Sequence, residues 1–249
     1  MKKILLTIIY TLVSTFAIAS ESDINSKQKP IAQNNKLSSS SSASTKSVIP
    51  ATSNMNQDGS VIATISCEIN TPCYLVKDTS DRVITVINND SSSRQSTLLI
   101  KTIVTPQFDF TLMTRYALGN NWKNATETQQ AQLVDNFKQL LLFTYTAALS
   151  KFKGAKITIT SESINDKKAA VISQVILPNS GEDTQPIKVE YDLAKTGDNQ
   201  TWKAYDIKIE NASLVTTYRN QFNEIIQTSK IDGLINQLKA KVASLQKRK

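Results

Sequence analysis

Histidine is absent from all 249 residues, and that single lack removes much of the catalytic repertoire. Without imidazole there is no Ser-His or Cys-His couple, no histidine metal ligand, and no side chain whose ordinary pKa lies near neutrality. Glycine is scarce, six in the whole chain, and none builds a phosphate-cradling loop. No apolar stretch reaches the roughly 20 residues that a bilayer span needs. Cysteine occurs only as Cys67 and Cys73, and with no histidine to complete a set, two thiolates make a poor zinc site. Neither a metal nor a cofactor is expected, and most hydrolase mechanisms lack their residues. The one adjacent acid and phenol on an expected strand, Tyr205 and Asp206, should point to opposite faces and so not share a pocket.

The chain begins with an export pattern. Lys2 and Lys3 precede a largely apolar run from Ile4 to Ile18, and Ala17-Ile18-Ala19 is a small-residue cleavage site, so residues 1–19 read as a signal peptide. The mature protein is then expected to be soluble and periplasmic. Cleavage takes two lysines and no acid, leaving a net charge of +6 from +8. That balance favours anionic partners. Export, and the absence of basic runs interleaved with aromatics, argue against nucleic acid.

Residues 20–58 are poor in large apolar side chains and rich in Ser, Asn, Gln and Lys, with a serine run from Ser38 to Ser42. Such a segment buries too little surface to offset its ordering entropy and reads as a flexible tether. The rest, 59–249, reads as one folded domain. In an exported chain the Cys67 and Cys73 pair favours a disulfide, and Pro72 makes the tight loop between them credible; two free thiols are the alternative.

Val76, Val83, Ile84 and Ile87 predict a first helix ending near Asn89. Leu98 to Val104 is mainly apolar and fits either a strand or a buried helix, with Pro106 ending it. Phe110, Met113 and Leu118 predict a short helix that Gly119 closes. Thr126-Glu127-Thr128-Gln129 fits a capping box for a long helix carrying Leu133, Phe137, Leu140, Leu141, Thr144 and Ala148 on one face. Alternation predicts four strands, at 156–160, 169–177, 187–193 and 202–209, in an antiparallel meander. In the last of them Tyr205, Ile207 and Ile209 should face inward, with Asp206, Lys208 and Glu210 in water. Asn211 then turns the chain, Ser213 caps, and a helix from Leu214 buries Val215, Tyr218, Phe222, Ile225 and Ile226. A final helix presents Ile231, Leu234, Ile235, Leu238 and Val242. Helices, then strands, then helices give an α+β class.

Trp202-Lys203-Ala204-Tyr205-Asp206-Ile207, Ser213-Leu214-Val215-Thr216-Thr217-Tyr218-Arg219-Asn220-Gln221-Phe222 and Ile231-Asp232-Gly233-Leu234-Ile235-Asn236-Gln237-Leu238 resemble the C-terminal signature of the MlaC family. These are periplasmic phospholipid-shuttle proteins of Gram-negative bacteria, also called the toluene-tolerance family. Thr105-Pro106-Gln107-Phe108-Asp109-Phe110, Ala117-Leu118-Gly119, Trp122-Lys123-Asn124-Ala125-Thr126 and Thr144-Tyr145 continue the resemblance upstream, so that it runs over roughly residues 74–245. Asn211 is a departure, because the family usually has Gly there.

The resemblance implies a curved antiparallel sheet of about four strands cupped by helices, a cone like that of the nuclear-transport-factor fold, enclosing an apolar cavity. It implies a non-enzymatic carrier whose cargo is a diacyl phospholipid, moved between outer and inner membranes to keep outer-membrane lipid asymmetry. Its implied partners are an outer-membrane lipoprotein–porin complex and an inner-membrane ABC transporter with its periplasmic substrate-binding ring. Residues placed to line the cavity are Phe110, Met113, Phe137, Leu141, Val171, Val175, Val189, Tyr191, Tyr205, Ile207, Tyr218 and Phe222. Periodicity alone favours a dense core; only the resemblance turns these residues towards a cavity. A periplasmic protein-binding adaptor without lipid cargo is the alternative function.

Overall fold

The computed structural model describes residues 52–55, 61–89, 93–178 and 185–247. The export signal and most of the Ser-rich tether lie outside the described residues. Strand β1 (Thr52–Met55) pairs antiparallel with β2 (Val61–Thr64), Thr52 opposite Thr64. Paired backbone therefore starts inside the stretch expected as tether. The physical reason is that the Val61-Ile62 run favours extended backbone, and the ladder it offers can be completed by polar residues as well as apolar ones. Beyond β2, Ile65 N–H donates to the Ile159 carbonyl at 3.3 Å and so joins this ribbon to the main sheet's edge.

Helix α1 (Pro72–Asn88) starts where Thr71 accepts from Tyr74 N–H, with Pro72 in the first turn, where its missing N–H leaves no intrahelical bond unmade. Cys67 and Cys73 are bonded to each other, tying the incoming chain to this helix start. The ambiguous run from Leu98 is helical, α2 (Ser93–Val104). Ile100 and Ile103, three residues apart, pack on Val83 and Ile87 of α1, and that partner decides for the helical period. Pro106 sits in a 3-10 turn (Thr105–Gln107), after which Phe108 makes a parallel bridge to Ala204 and Asp109 N–H donates to the Ala204 carbonyl at 2.9 Å. Asp109 then caps α3 (Phe110–Leu118), and Gly119, at φ 55°, ends it. The expected capping box is present at the start of α4 (Glu127–Ala148): Gln129 N–H donates to Thr126 Oγ1 and Thr126 N–H to Gln129 Oε1. A 3-10 turn (Leu149–Phe152) leads into the sheet.

Strands β3 (Lys156–Asn165), β4 (Lys168–Ile176), β5 (Ile187–Thr196), β6 (Thr201–Ile209) and the short β7 (Ala212–Ser213) form an open antiparallel sheet in chain order. Between β6 and β7 both Glu210 (φ 48°) and Asn211 (φ 69°) are left-handed, a conformation that Asn tolerates better than most residues. Helix α5 (Leu214–Lys247) breaks once, at Lys230 (φ 59°, ψ −173°), so the two expected C-terminal helices are continuous but for one residue.

One expected face is wrong. A bulge between Asp192 and Leu193 of β5 sets Asp192 opposite Asp206 and Leu193 opposite Ala204, leaving Tyr205 as the extra residue of β6. The alternation slips there. Asp206, expected in water, is buried, while Tyr205 is only half-buried. Past the bulge, Ile207 and Ile209 do pack with the inner sheet residues.

Candidate functional site

Two apolar layers form, and the candidate lining residues divide between them. Phe110, Met113, Phe137, Leu141, Tyr218 and Phe222 belong to a cluster built from α3, α4 and α5 and their connections, with no strand residue in it. Its centre is aromatic: the Phe137 ring stands edge-on to Tyr218 at 4.8 Å and to Phe222 at 5.1 Å between centroids. Such pairs add about 0.5–1.5 kcal/mol each beyond area burial. Val171, Val175, Val189, Tyr191 and Ile207 lie on the sheet face that α1 covers, in two adjoining clusters. Their cross-strand order explains this, because Val171, Tyr191 and Ile207 face one another across β4, β5 and β6.

Tyr205 joins neither group. Displaced by the bulge, its ring lies tilted against that of Tyr116 of α3, 5.1 Å between centroids, on the side of the charged residues Asp192, Asp206 and Lys208, all of which act on its hydroxyl. Burial, with Asp192 second, pushes the Tyr205 hydroxyl up to about 12. So Tyr205 and Asp206 share one side of the strand after all, and Tyr205 is not among the residues the sheet brings to its helix-covered face.

Phe108 packs against both the helical cluster and a sheet cluster. Half-buried apolar side chains occur in both layers, Tyr191, Ile207 and Ile209 in the sheet and Leu142, Phe143 and Tyr145 in α4, and the zone between the layers forms a seam. Phe108, Phe143, Tyr145, Ile209 and Phe152 were not singled out as lining residues. Phe152, between two lysines, carries no periodic signal; Phe108 stood in a family motif whose role a single chain does not disclose.

Tyrosine hydroxyls lie in these layers. Burial pushes Tyr145 up to about 12 and raises Tyr218 and Tyr191, with Ser173 and Ser80 hydrogen-bonding to Tyr191 in partial opposition. On the other sheet face Lys208 reaches Glu190 and Asp192, each at 2.8 Å. Among the described residues no group of three or more His, Cys, Asp or Glu side chains could hold a metal. An open polar cleft of about 520 Å³ lies elsewhere, where the Lys230 break faces the start of α4, crossed by the Gln129–Asp232 hydrogen bond.

Residues 77–240 match the family model described as MlaC protein. The chain belongs to the MlaC family. This MlaC-family chain is also similar to the phospholipid-binding protein of Ralstonia solanacearum, solved in complex with a phospholipid. The two are 30% identical with a TM-score of 0.61, the match covering 70% of this chain and 98% of the other. The family match and the phospholipid-binding neighbour together indicate a lipid-binding carrier and not an enzyme. No helix among the described residues is long and apolar enough to cross a membrane.

Proposed function

We propose that this MlaC-family protein is a periplasmic carrier that takes one diacyl phospholipid between outer-membrane and inner-membrane complexes and so maintains outer-membrane lipid asymmetry. The observation that carries the reading is the seam. A helical core and a sheet core, each packed within itself, are joined through Phe108 and leave Tyr191, Ile207 and Ile209 half-covered between them. Two such layers can part to admit acyl chains without either losing its own packing. The need for a carrier is physical: each methylene in water costs about 0.8 kcal/mol, so two chains of roughly 30 methylenes in all represent some 20 kcal/mol of exposure.

Loading and release then belong to the partners, an outer-membrane lipoprotein–porin complex and an inner-membrane ABC transporter with its periplasmic ring. A protein without histidine has no side chain whose ordinary pKa would let mild acid trigger unloading. Contacts that favour the parted arrangement over the closed one serve instead.

Val189→Trp tests the reading. Val189 is buried on β5 beside Val175 and Ile187. If acyl chains enter at this face, the indole takes their space: the variant stays folded, with stability near that of lipid-free wild type, but loses its co-purified phospholipid in organic extracts. Destabilisation by about 1–3 kcal/mol, the usual result of overpacking, with lipid content unchanged per folded molecule, would overturn it. Wild-type protein that repeatedly purifies stable and lipid-free would favour an adaptor instead.

A further inference from the structure

We infer that α2, with the adjoining turn Leu149–Phe152, is a docking face for an anionic phospholipid membrane. Helix α2 buries Ile100 and Ile103, yet on its outside Leu98 is 65% and Leu99 41% exposed. The two consecutive outward leucines make a small contiguous apolar patch on a short surface helix. Helical spacing sets Arg94 one turn before Leu98 and Lys101 about one turn after it. The Lys101 ammonium lies over the Phe143 ring, 3.5 Å from its centroid, at the edge of the seam. Leu149 and Phe152 pack into the same cluster as Ile100 and Ile103, which brings the exposed Lys151 and Lys153 to this end of the molecule.

The sign of the charge decides the occupant. No acidic residue occurs from 91 to 108 or from 136 to 161, the stretches that build this face. On α1 behind it, Asp78 pairs with Arg82 at 3.3 Å and Asp81 with Lys77. Two other exposed apolar residues, Ile69 (71%) and Ile164 (52%), have the acids Glu68, Glu162 and Asp166 as near neighbours in sequence and lack that complementarity. An apolar pair framed by cations is what an interfacial helix needs to insert at an anionic surface, the leucines entering the acyl boundary and the cations meeting phosphates. The inference concerns the outer surface and stands apart from cargo binding.

The test is co-sedimentation of the purified protein with vesicles of equal parts phosphatidylglycerol and phosphatidylethanolamine, against pure phosphatidylcholine. Binding is expected to the anionic vesicles only and to weaken with added salt. Leu98→Ser with Leu99→Ser should weaken it roughly tenfold or more, and Arg94→Gln with Lys151→Gln by a similar factor. Ile69→Ser with Ile164→Ser should leave it unchanged. The substituted side chains are exposed, so unaltered circular dichroism and Tm should accompany each variant. Equal binding to neutral vesicles, or indifference to the leucine pair, would overturn the inference. So would absence of vesicle binding with a loss of lipid transfer in the leucine variant, which would assign the face to a protein partner. Phospholipid in organic extracts reads the cargo proposal independently, since a failure there leaves the sedimentation result standing.

Discussion

Asp206→Ala should be among the most damaging single substitutions outside the apolar core. The carboxylate is 6% exposed, and it accepts from Ile207 N–H at 2.8 Å, from Val215 N–H at 3.0 Å and from the Ser213 hydroxyl at 2.5 Å. Val215 lies in the first turn of α5, so a side chain from a neighbouring strand helps cap the longest helix, at the end where the helix dipole favours negative charge. Ser213 adds the local cap, accepting from Thr216 N–H at 3.0 Å. Loss of a helix cap alone costs about 0.5–2 kcal/mol. Here alanine also strands a buried amide, which adds about 1–3 kcal/mol, so a total near 3 kcal/mol is expected. For a protein of this size that lowers Tm by about 6–12 °C, at 2–4 °C per kcal/mol. Asp206→Asn keeps an acceptor and loses the charge, so it should fall between wild type and alanine. Calorimetry at neutral pH checks both. A Tm for Asp206→Ala within about 2 °C of wild type, or an asparagine variant worse than alanine, would refute the capping role.

The break in α5 gives a second expectation: a Cβ on Gly233 would stand 2.2 Å from Ser229 Cβ, so Gly233→Ala should destabilise by about 1–3 kcal/mol. Ser229→Gly added to it should restore most of the loss in urea midpoints, and no rescue would mean that the clash is not the cause. On the alkaline side, Tyr145, Tyr191 and Tyr218 have folded pKa values raised by burial above the ordinary 10, so the folded state holds more protons than the unfolded one. The stability they supply is complete below pH 10 and lost as pH rises through their folded values, for Tyr145 through about 12, with up to about 1.4 kcal/mol per pH unit for each tyrosine; urea midpoints unchanged well above pH 10 would contradict this. Finally, the Cys67–Cys73 bond means that native protein should take no alkylating label until reduced, then two. Two labels without reductant would show free thiols.

Much of the helical architecture was legible because its signals are local. Thr126 and Gln129 satisfy each other within one turn, and Gly119 ends α3 by its own backbone freedom. The face of β6 was legible only as far as the bulge. Period-two alternation counts residues, and an extra residue at Tyr205 is visible only against the strand opposite, so the phase of Asp206 was misjudged. The run Leu98–Val104 was undecidable alone, since Ile100 and Ile103 become a helical stripe only once α1 supplies its partner. The lining residues show the same limit. Periodicity says that Phe137 and Val189 turn inward but not that they turn into different layers, a matter settled by which elements pack across the seam.

The chain-order sheet carries a consequence for how the protein assembles. Every neighbour in β3-β4-β5-β6-β7 is also the next strand in sequence, so each pairing closes a short loop, as at the Asp166–Lys167 turn between β3 and β4. Short closures are entropically cheap and fast. Bonds between the helices instead join residues about a hundred positions apart, as Asn121 to Asn223 does. Pulsed hydrogen exchange during refolding should therefore protect the meander first and the α3–α4–α5 layer afterwards. A chain entering its compartment unfolded would raise one wall of the seam before the other, and the space between them would be the last part of the molecule to close.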